Sequence, residues 1–307
     1  LEKGDFVMNS AFIIQQLISG ISIGLAYALI AIGYSMVYGI LKFINFGHGA
    51  IYMVGTYIGY FCWVFFMTRL PRFTSFVLAT ILAIIMGAIF GVLMERVAYK
   101  PTRGKGRLTT FMSSVGVSLF ITYGVEYLLG PQPLPVPDLF PDVLFEVGGA
   151  YITGMQIFIL VVALSLLLCL QLFVDKSRMG RAIRACSQDM GAANLMGVNT
   201  DQAISWTFAI GSGLASISGI MIGIYYNTVY PTMGWLAGIK AFICAVTGGI
   251  GSIPGAMVGG LLVGLAENLG AGFVASGYRD AIAFGFLIIV MLIRPSGIFA
   301  KEQRSSL

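Results

Sequence analysis

The strongest constraint on this chain is the spacing of its charges. Apolar runs of about twenty residues or more recur from end to end, and the charged residues are gathered in the connections between them. A hydrocarbon layer about 30 Å thick is crossed by about 20 helical residues. Inside it every backbone N–H and C=O must find a partner within the protein, and for runs of this length that means helices. Only 10% of the 307 residues are charged and 58% are hydrophobic, whereas a soluble domain carries about 25% charged residues. The expected fold class is all-α: a polytopic integral membrane helical bundle of about eight hydrophobic segments, in a single domain over residues 1–307. Forty glycines suit helices that approach closely and helices broken where they line a cavity.

The spans predicted in order are Ala11–Ile40, Ala50–Met67, Ser75–Ala98, Leu108–Leu129, Ile152–Val174 and Gln202–Tyr225, then Leu261–Ala275 and Arg279–Ile293. The first is long enough to tilt or to break near Gly33, and Lys42–Gly49 interrupts it from the second. Arg96, Lys100, Arg103, Lys105 and Arg107 form the densest basic loop and are placed in the cytoplasm. Pro131–Ala150 is proline-rich, carries Asp138, Asp142 and Glu146 without Lys or Arg, and is placed outside. These assignments put the N-terminus outside and the basic tail (Arg294, Lys301, Arg304) inside, which needs an odd number of crossings. Gly238–Gly260 has weak spanning character, and Gly238–Pro254 is the candidate for a re-entrant or broken piece. Met8 is a candidate native start. Ile44–Gly59 and Ile250–Gly264 echo each other, each with a Gly- or Pro-broken turn before a glycine-spaced helix, as expected of a substrate path in two halves.

The longest polar island is Lys176–Thr200, between two spans. It holds Lys176, Arg178, Arg181 and Arg184, and a helical run with Ala182, Cys186, Met190, Ala193 and Met196 on one small, apolar face. Gly197 stops the run as a C-terminal cap would, and Asn199 caps the next span. A face of Ala and Met without aromatics suits a protein groove better than lipid headgroups. The island therefore reads as a cytoplasmic coupling element at 176–200.

No enzyme constellation appears. A single histidine excludes a Ser/His/Asp triad and a multi-histidine metal site. No Walker motif is present, so any ATP chemistry belongs to another chain, and neither cofactor nor metal is expected on this one. Asn45, Gly47, His48 and Gly49 form a glycine-bracketed turn: a pathway hinge or gate, or an interhelical turn whose imidazole bonds a backbone carbonyl. Glu267 is an acid in an apolar helix, for which Lys240 is the natural partner; the alternative is an acid at a membrane boundary. Arg279–Asp280 reads as an interfacial anchor. The four cysteines lack metal-ligand spacing and read as small hydrophobes. The positive balance reflects cytoplasmic loops and not nucleic-acid binding.

Several stretches together resemble a known family: YALIAIGYSMVYGILKFINFGHGAIYMVGTY, MGRAIRACSQDMGAANLMGVNTD, GLASISGIMIG and AVTGGIGSIPGAMVGGLLVGLAE. They are similar to the H-type permease subunit of high-affinity branched-chain amino-acid ABC transporters. The resemblance implies a non-catalytic bacterial inner-membrane permease subunit for leucine, isoleucine, valine or other neutral amino acids. It implies pairing with a second homologous permease, two cytoplasmic ATPase subunits that bind ATP and Mg, and a periplasmic binding protein, with lipid around the whole. It makes Arg181–Gly197 the ATPase-coupling segment, including Arg184, Cys186, Asp189, Met190 and Ala193, with loss of coupling expected on mutating Arg184 or Gly197. Ala50 departs from relatives that often carry an acid there. The competing readings are a urea or short-chain amide permease, a stand-alone channel or carrier, and a membrane-embedded enzyme.

Overall fold

The computed structural model describes residues 10–140, 145–147 and 149–299; Met8, Asp142, Lys301 and Arg304 lie outside them. Among the described residues the order is α1 (Ser10–Leu41), α2 (Gly47–Met67), α3 (Arg72–Met94), α4 (Arg107–Leu129), β1 (Leu134–Pro135), β2 (Phe145–Val147), β3 (Ala150–Ile152), α5 (Gly154–Lys176), α6 (Arg178–Gln188), α7 (Met190–Leu195), α8 (Thr200–Tyr225), β4 (Thr228–Val229), α9 (Met233–Gly248), α10 (Ile253–Phe273) and α11 (Arg279–Ile293). A π-helical turn, Glu95–Tyr99, and a 3-10 turn, Lys100–Thr102, extend α3. Eight helices are long and apolar enough to cross a membrane.

Side-chain and loop contacts sort the helix ends into two faces. On one face the Gln15 side chain accepts from the Tyr151 amide at 2.8 Å, Arg72 donates to the Asp138 carbonyl at 3.1 Å, and Phe12 packs on Phe273. On the other, Lys42 donates to the Ser187 carbonyl at 3.2 Å and Lys100 pairs with Asp201 at 2.7 Å. This second face gathers the basic loops, as the positive-inside rule expects of a cytoplasmic face. The chain alternates faithfully between them. Helices α1–α5, α8, α10 and α11 are the eight of spanning length, and the shorter apolar helix α9 lies between α8 and α10 in the chain.

Helix α9 is too short to span alone. It has 16 residues, about 24 Å at 1.5 Å per residue, which is short of the bilayer core. It begins inside the bundle, where a Cβ on Gly238 would stand 3.2 Å from Gly49 Cα in the first turn of α2. The outer part of the crossing is the non-helical stretch Tyr226–Thr232. Its β4 pairs antiparallel with β1, Leu134 opposite Val229, so part of the outer loop serves as its hydrogen-bonding partner. Irregular backbone at this depth is tolerated only where protein or a water-filled cavity surrounds it; here β1 covers it and a cavity borders Tyr226, Thr228 and Tyr230. The break in Gly238–Gly260 is real but sits at Gly249–Ser252, on the cytoplasmic side. Ser252 caps α10 by accepting from the Gly255 amide at 3.1 Å, and Pro254 occupies the first turn, where no amide is needed.

Two other expectations change. Helix α1 is unbroken through Gly33; the interruption is Lys42–Phe46, with Lys42 at a left-handed φ of 55°. His48 therefore stands in the first turn of α2 and not in a loop. In the outer loop, Phe145–Val147 pairs antiparallel with Ala150–Ile152.

The core is centred on α1 and α8, whose middle residues are nearly all buried. The outer sides of α3, α4, α5 and α11 carry exposed Ile89, Phe120, Leu168 and Leu292, as a bundle rim in lipid would. Cys169 lies on such a rim, whereas Cys186 and Cys244 are buried; all four cysteines are free.

Candidate functional site

The sequence singles out Lys240 and Glu267 as an intramembrane pair, and the fold brings them together. Lys240 sits on α9, Glu267 on α10, and the ammonium is 2.9 Å from Glu267 Oε1. The same Nζ lies 2.8 Å from Asp280 Oδ1, at the start of α11. It also donates to the Tyr27 hydroxyl on α1 at 3.3 Å and stands 5.6 Å from the centre of that ring. Tyr27 in turn donates to Glu267 Oε1 at 3.5 Å. Four helices thus converge on one ammonium. Glu267 is completely buried and its second oxygen, Oε2, has no partner.

This cluster is the floor of a cavity of about 540 Å³. Its walls are the unwound stretch after α8 (Tyr226, Thr228, Tyr230), the start of α9 (Met233, Leu236, Ala237) and the turn before α11 (Ser276, Gly277, Arg279). The cavity faces the outer side, since it lies between the outer ends of α8 and α10. Arg279 donates to the Tyr226 hydroxyl at 3.0 Å across it. Arg279 and Asp280 therefore face the cavity and do not simply anchor a helix end. Sequence reading missed them because their partners are 53 and 40 positions away, at Tyr226 and Lys240. Only the intramembrane lysine, left with one acid by local reasoning, hinted at a second.

The other pathway candidates lie elsewhere. Asn45, Gly47, His48 and Gly49 line no part of this cavity. His48 Nε2 is 3.2 Å from the Ile30 carbonyl oxygen, and the ring meets Tyr34 edge-on at 4.9 Å. It fills the space that Gly33 leaves: a Cβ on Gly33 would stand 2.5 Å from the ring. Asn45 Oδ1 accepts from the Tyr99 hydroxyl at 2.5 Å, and Gly47 leaves room for that tyrosine. These residues lock α1, α2 and the end of α3 together. Gly33→Ala should destabilise the protein by roughly 1–3 kcal/mol through overpacking against His48, read as a lowered melting temperature that His48→Ala partly restores.

The cytoplasmic island is a second site. It is not one helix but two, α6 and α7, broken at Asp189, whose side chain accepts from the Ala192 amide at 2.9 Å to start α7. The break rotates the apolar face. Ile183, Cys186 and Ala193 turn inward onto Val37, Ile40, Met94, Tyr99 and Ile204, and burial pushes the Cys186 thiol above its ordinary pKa. Met190 is half-buried at the same edge. Left outside are Leu195 and Met196, 89% and 84% exposed, beside a groove of about 380 Å³ at Gly197–Asp201. Arg184 is tied to Asp175 at 2.6 Å, which clamps α6 to the end of α5, while Arg181 is exposed and reaches the Lys176 carbonyl. Gly197, at φ +82°, closes α7 in a Schellman motif: its amide bonds the Asn194 carbonyl and that of Val198 bonds Ala193. Asn199 caps α8 as its sequence position predicts. Beside the island, Arg103 pairs with Asp201 at 2.7 Å and with buried Glu95, which also accepts from Ser205. The basic loop is thereby pinned to α8 through an acid that the sequence reading passed over.

A multi-pass bundle with a charged cavity at one face and a packed helix pair at the other is an architecture that a membrane permease would use. The family model for "Branched-chain amino acid transport system / permease component" matches residues 16–292, and the chain belongs to that family. It is 45% identical over 296 residues to the high-affinity branched-chain amino acid transport system permease protein BraD of Pseudomonas aeruginosa, covering 94% of this chain and 96% of that one. It is 41% identical over 300 residues to the corresponding protein LivH of Escherichia coli K12, covering 95% and 97%. Among solved structures, "PsaBC from Streptococcus pneumoniae in complex with Fab" is similar over 96% of this chain and 94% of that one, at 15% identity and a TM-score of 0.46.

Proposed function

We propose that the chain is the permease subunit of an ATP-driven importer of branched-chain amino acids in a bacterial inner membrane. In this reading a second homologous permease chain packs beside it. Two ATPase subunits carry ATP and Mg on the cytoplasmic face, and a binding protein delivers substrate to the outer cavity. Family membership supports the substrate class. The observation that carries the mechanism is the island: its inner face is locked to α1, α3 and α8, while Leu195 and Met196 are left bare on the cytoplasmic side. A push on such a helix pair is transmitted to the spans, because Arg184 and Asp175 tie it to α5 and Asn199 joins it to α8. Alternating access then follows from differential binding of the closed ATPase pair to one state of the permease.

Leu195→Asp combined with Met196→Asp tests this. The double variant should reach the membrane at wild-type level, and its leucine uptake should fall more than tenfold. The ATPase subunits should co-purify poorly with it. Wild-type uptake by this variant would sink the coupling assignment. Arg184→Ala, by contrast, should lower the thermal stability of the chain as well as its coupling, since it releases α6 from α5. Uptake of labelled leucine against urea, in cells with and without the chain, decides the substrate class.

A further inference from the structure

We infer that the floor of the outer cavity receives the α-ammonium group of an amino acid at Glu267 and Asp280, with Lys240 as a tethered cation that occupies the place until substrate arrives. The inference deepens the importer reading and rests on it for the identity of the ligand. Its first support is charge. One ammonium is shared by two carboxylates, 2.9 Å from Glu267 and 2.8 Å from Asp280, while the other cation lining the cavity, Arg279, is turned to the Tyr226 hydroxyl. Its second support is Glu267 Oε2, an acceptor with no partner on a fully buried side chain. Such an oxygen is costly until a donor reaches it, and more so when it is charged. A positively charged N–H donor supplies both needs. A urea or amide N–H supplies the hydrogen bond alone.

Asp280 is reachable directly, and Glu267 Oε2, shut off while Lys240 stands in place, is reached once that ammonium moves aside. The cavity, about 540 Å³, is within the range of small-molecule sites, and the Asp280 side chain is 49% exposed on its wall. Arg279, the adjacent residue, lines the same cavity and offers a cation for a carboxylate. Met233 and Leu236 offer an apolar wall for an aliphatic side chain. The four-carbon stem of Lys240 lets its ammonium move aside. As a substrate ammonium enters between the two acids, repulsion displaces Lys240 Nζ, and the substrate carboxylate becomes a new partner for it and for Arg279. The exchange is non-covalent and, because the substrate is a zwitterion, leaves the net charge of the cavity unchanged while giving each acid a cation of its own.

The test is binding of tritiated L-leucine by scintillation proximity. The full-length chain is used with the subunits that co-purify, in nanodiscs without the binding protein. Competitors are 3-methylbutylamine, which is leucine without its carboxyl group, 4-methylpentanoate, which lacks the ammonium, and urea. Saturable leucine binding is expected, competed by the amine but not by the acid or by urea. It should weaken at least tenfold in Glu267→Gln and in Asp280→Asn. Asp280 is half-exposed, so its variant decides the matter if Glu267→Gln fails to fold. Binding unchanged in Asp280→Asn, an acid or urea that competes as well as the amine, or no saturable leucine binding by the wild type would each overturn the inference. Leucine uptake unchanged in cells lacking the chain would instead overturn the transport reading. Amine binding that depends on Glu267 and Asp280 would leave the ammonium site standing.

Discussion

Lys240→Met should remove most of the folded permease from the membrane, and Lys240→Met combined with Glu267→Leu should bring it back without restoring transport. Lys240 is the only cation within ion-pair distance of Glu267 among the described residues, and Glu267 is completely buried. Breaking a buried ion pair from one side leaves an uncompensated charge and costs about 3–5 kcal/mol, whereas replacing both partners by apolar groups is near neutral. The single variant also strips Glu267 of its shortest hydrogen bond, leaving only the long one from Tyr27. Asp280 is half-exposed and can be rescued by water, so it adds little to the cost. The measurement is the yield of monodisperse protein and its melting temperature for wild type, each single variant and the double variant. Strong coupling between the two positions, with a double variant clearly more stable than Lys240→Met alone, is expected. A Lys240→Met protein that melts like the wild type would show that the pair is not a charged one. Leucine uptake should be absent in every variant, because the charges that stabilise the floor are those proposed to meet the substrate.

Much of this was legible in the sequence, and the limits are instructive. The spans follow from hydropathy, because that is a property of segments taken one at a time. The pairing of Lys240 with Glu267 was also within reach, since an intramembrane acid demands a cation and very few were on offer. Asp280 and Arg279 escaped because they sit at a helix start, where a charged residue needs no special explanation. Tyr27 escaped because a tyrosine in an apolar helix is unremarkable until its neighbour is known. The island was misread for a different reason. Cys186 and Ala193 share a face with Met196 only if the helix is continuous. Asp189 can cap a new helix as well as sit in an old one, and once it does so the apolar residues left exposed are Leu195 and Met196. His48 was read both ways, as gate and as packing group. The space left by Gly33, which lies 15 positions earlier, supports packing.

Gly264→Leu should abolish folding outright, while Gly116→Leu, also a glycine in the middle of a span, should be tolerated. The contrast rests on where each glycine faces. Along α1, Gly20, Gly24 and Ala28 step one turn at a time, and along α10, Gly260 and Gly264 do the same. The two helices meet backbone to backbone at these positions: a Cβ on Gly24 would stand 2.9 Å from the Gly260 carbonyl oxygen, and one on Gly260 would stand 2.7 Å from Ala28 Cα. A Cβ on Gly264 would stand 2.7 Å from the Gly20 carbonyl oxygen and closer still to Gly24. Small residues four apart allow this approach, and in lipid, where no hydrophobic effect drives helices together, the close van der Waals contact is itself the adhesive. None of these neighbours is the end of a flexible side chain, so a leucine cannot be accommodated by a rotamer change. The helices must separate, at a cost on the order of 4 kcal/mol or more. Separation would also carry Glu267, one turn along α10, away from Tyr27, one turn along α1 from Gly24, and so open the floor of the cavity. Gly116 on α4 has nothing within 4 Å of its added Cβ, which leaves only a change of lipid-facing surface. Equal yields of folded protein from the two variants, measured by fluorescence-detected size exclusion, would mean that the α1–α10 seam is not what holds the bundle closed.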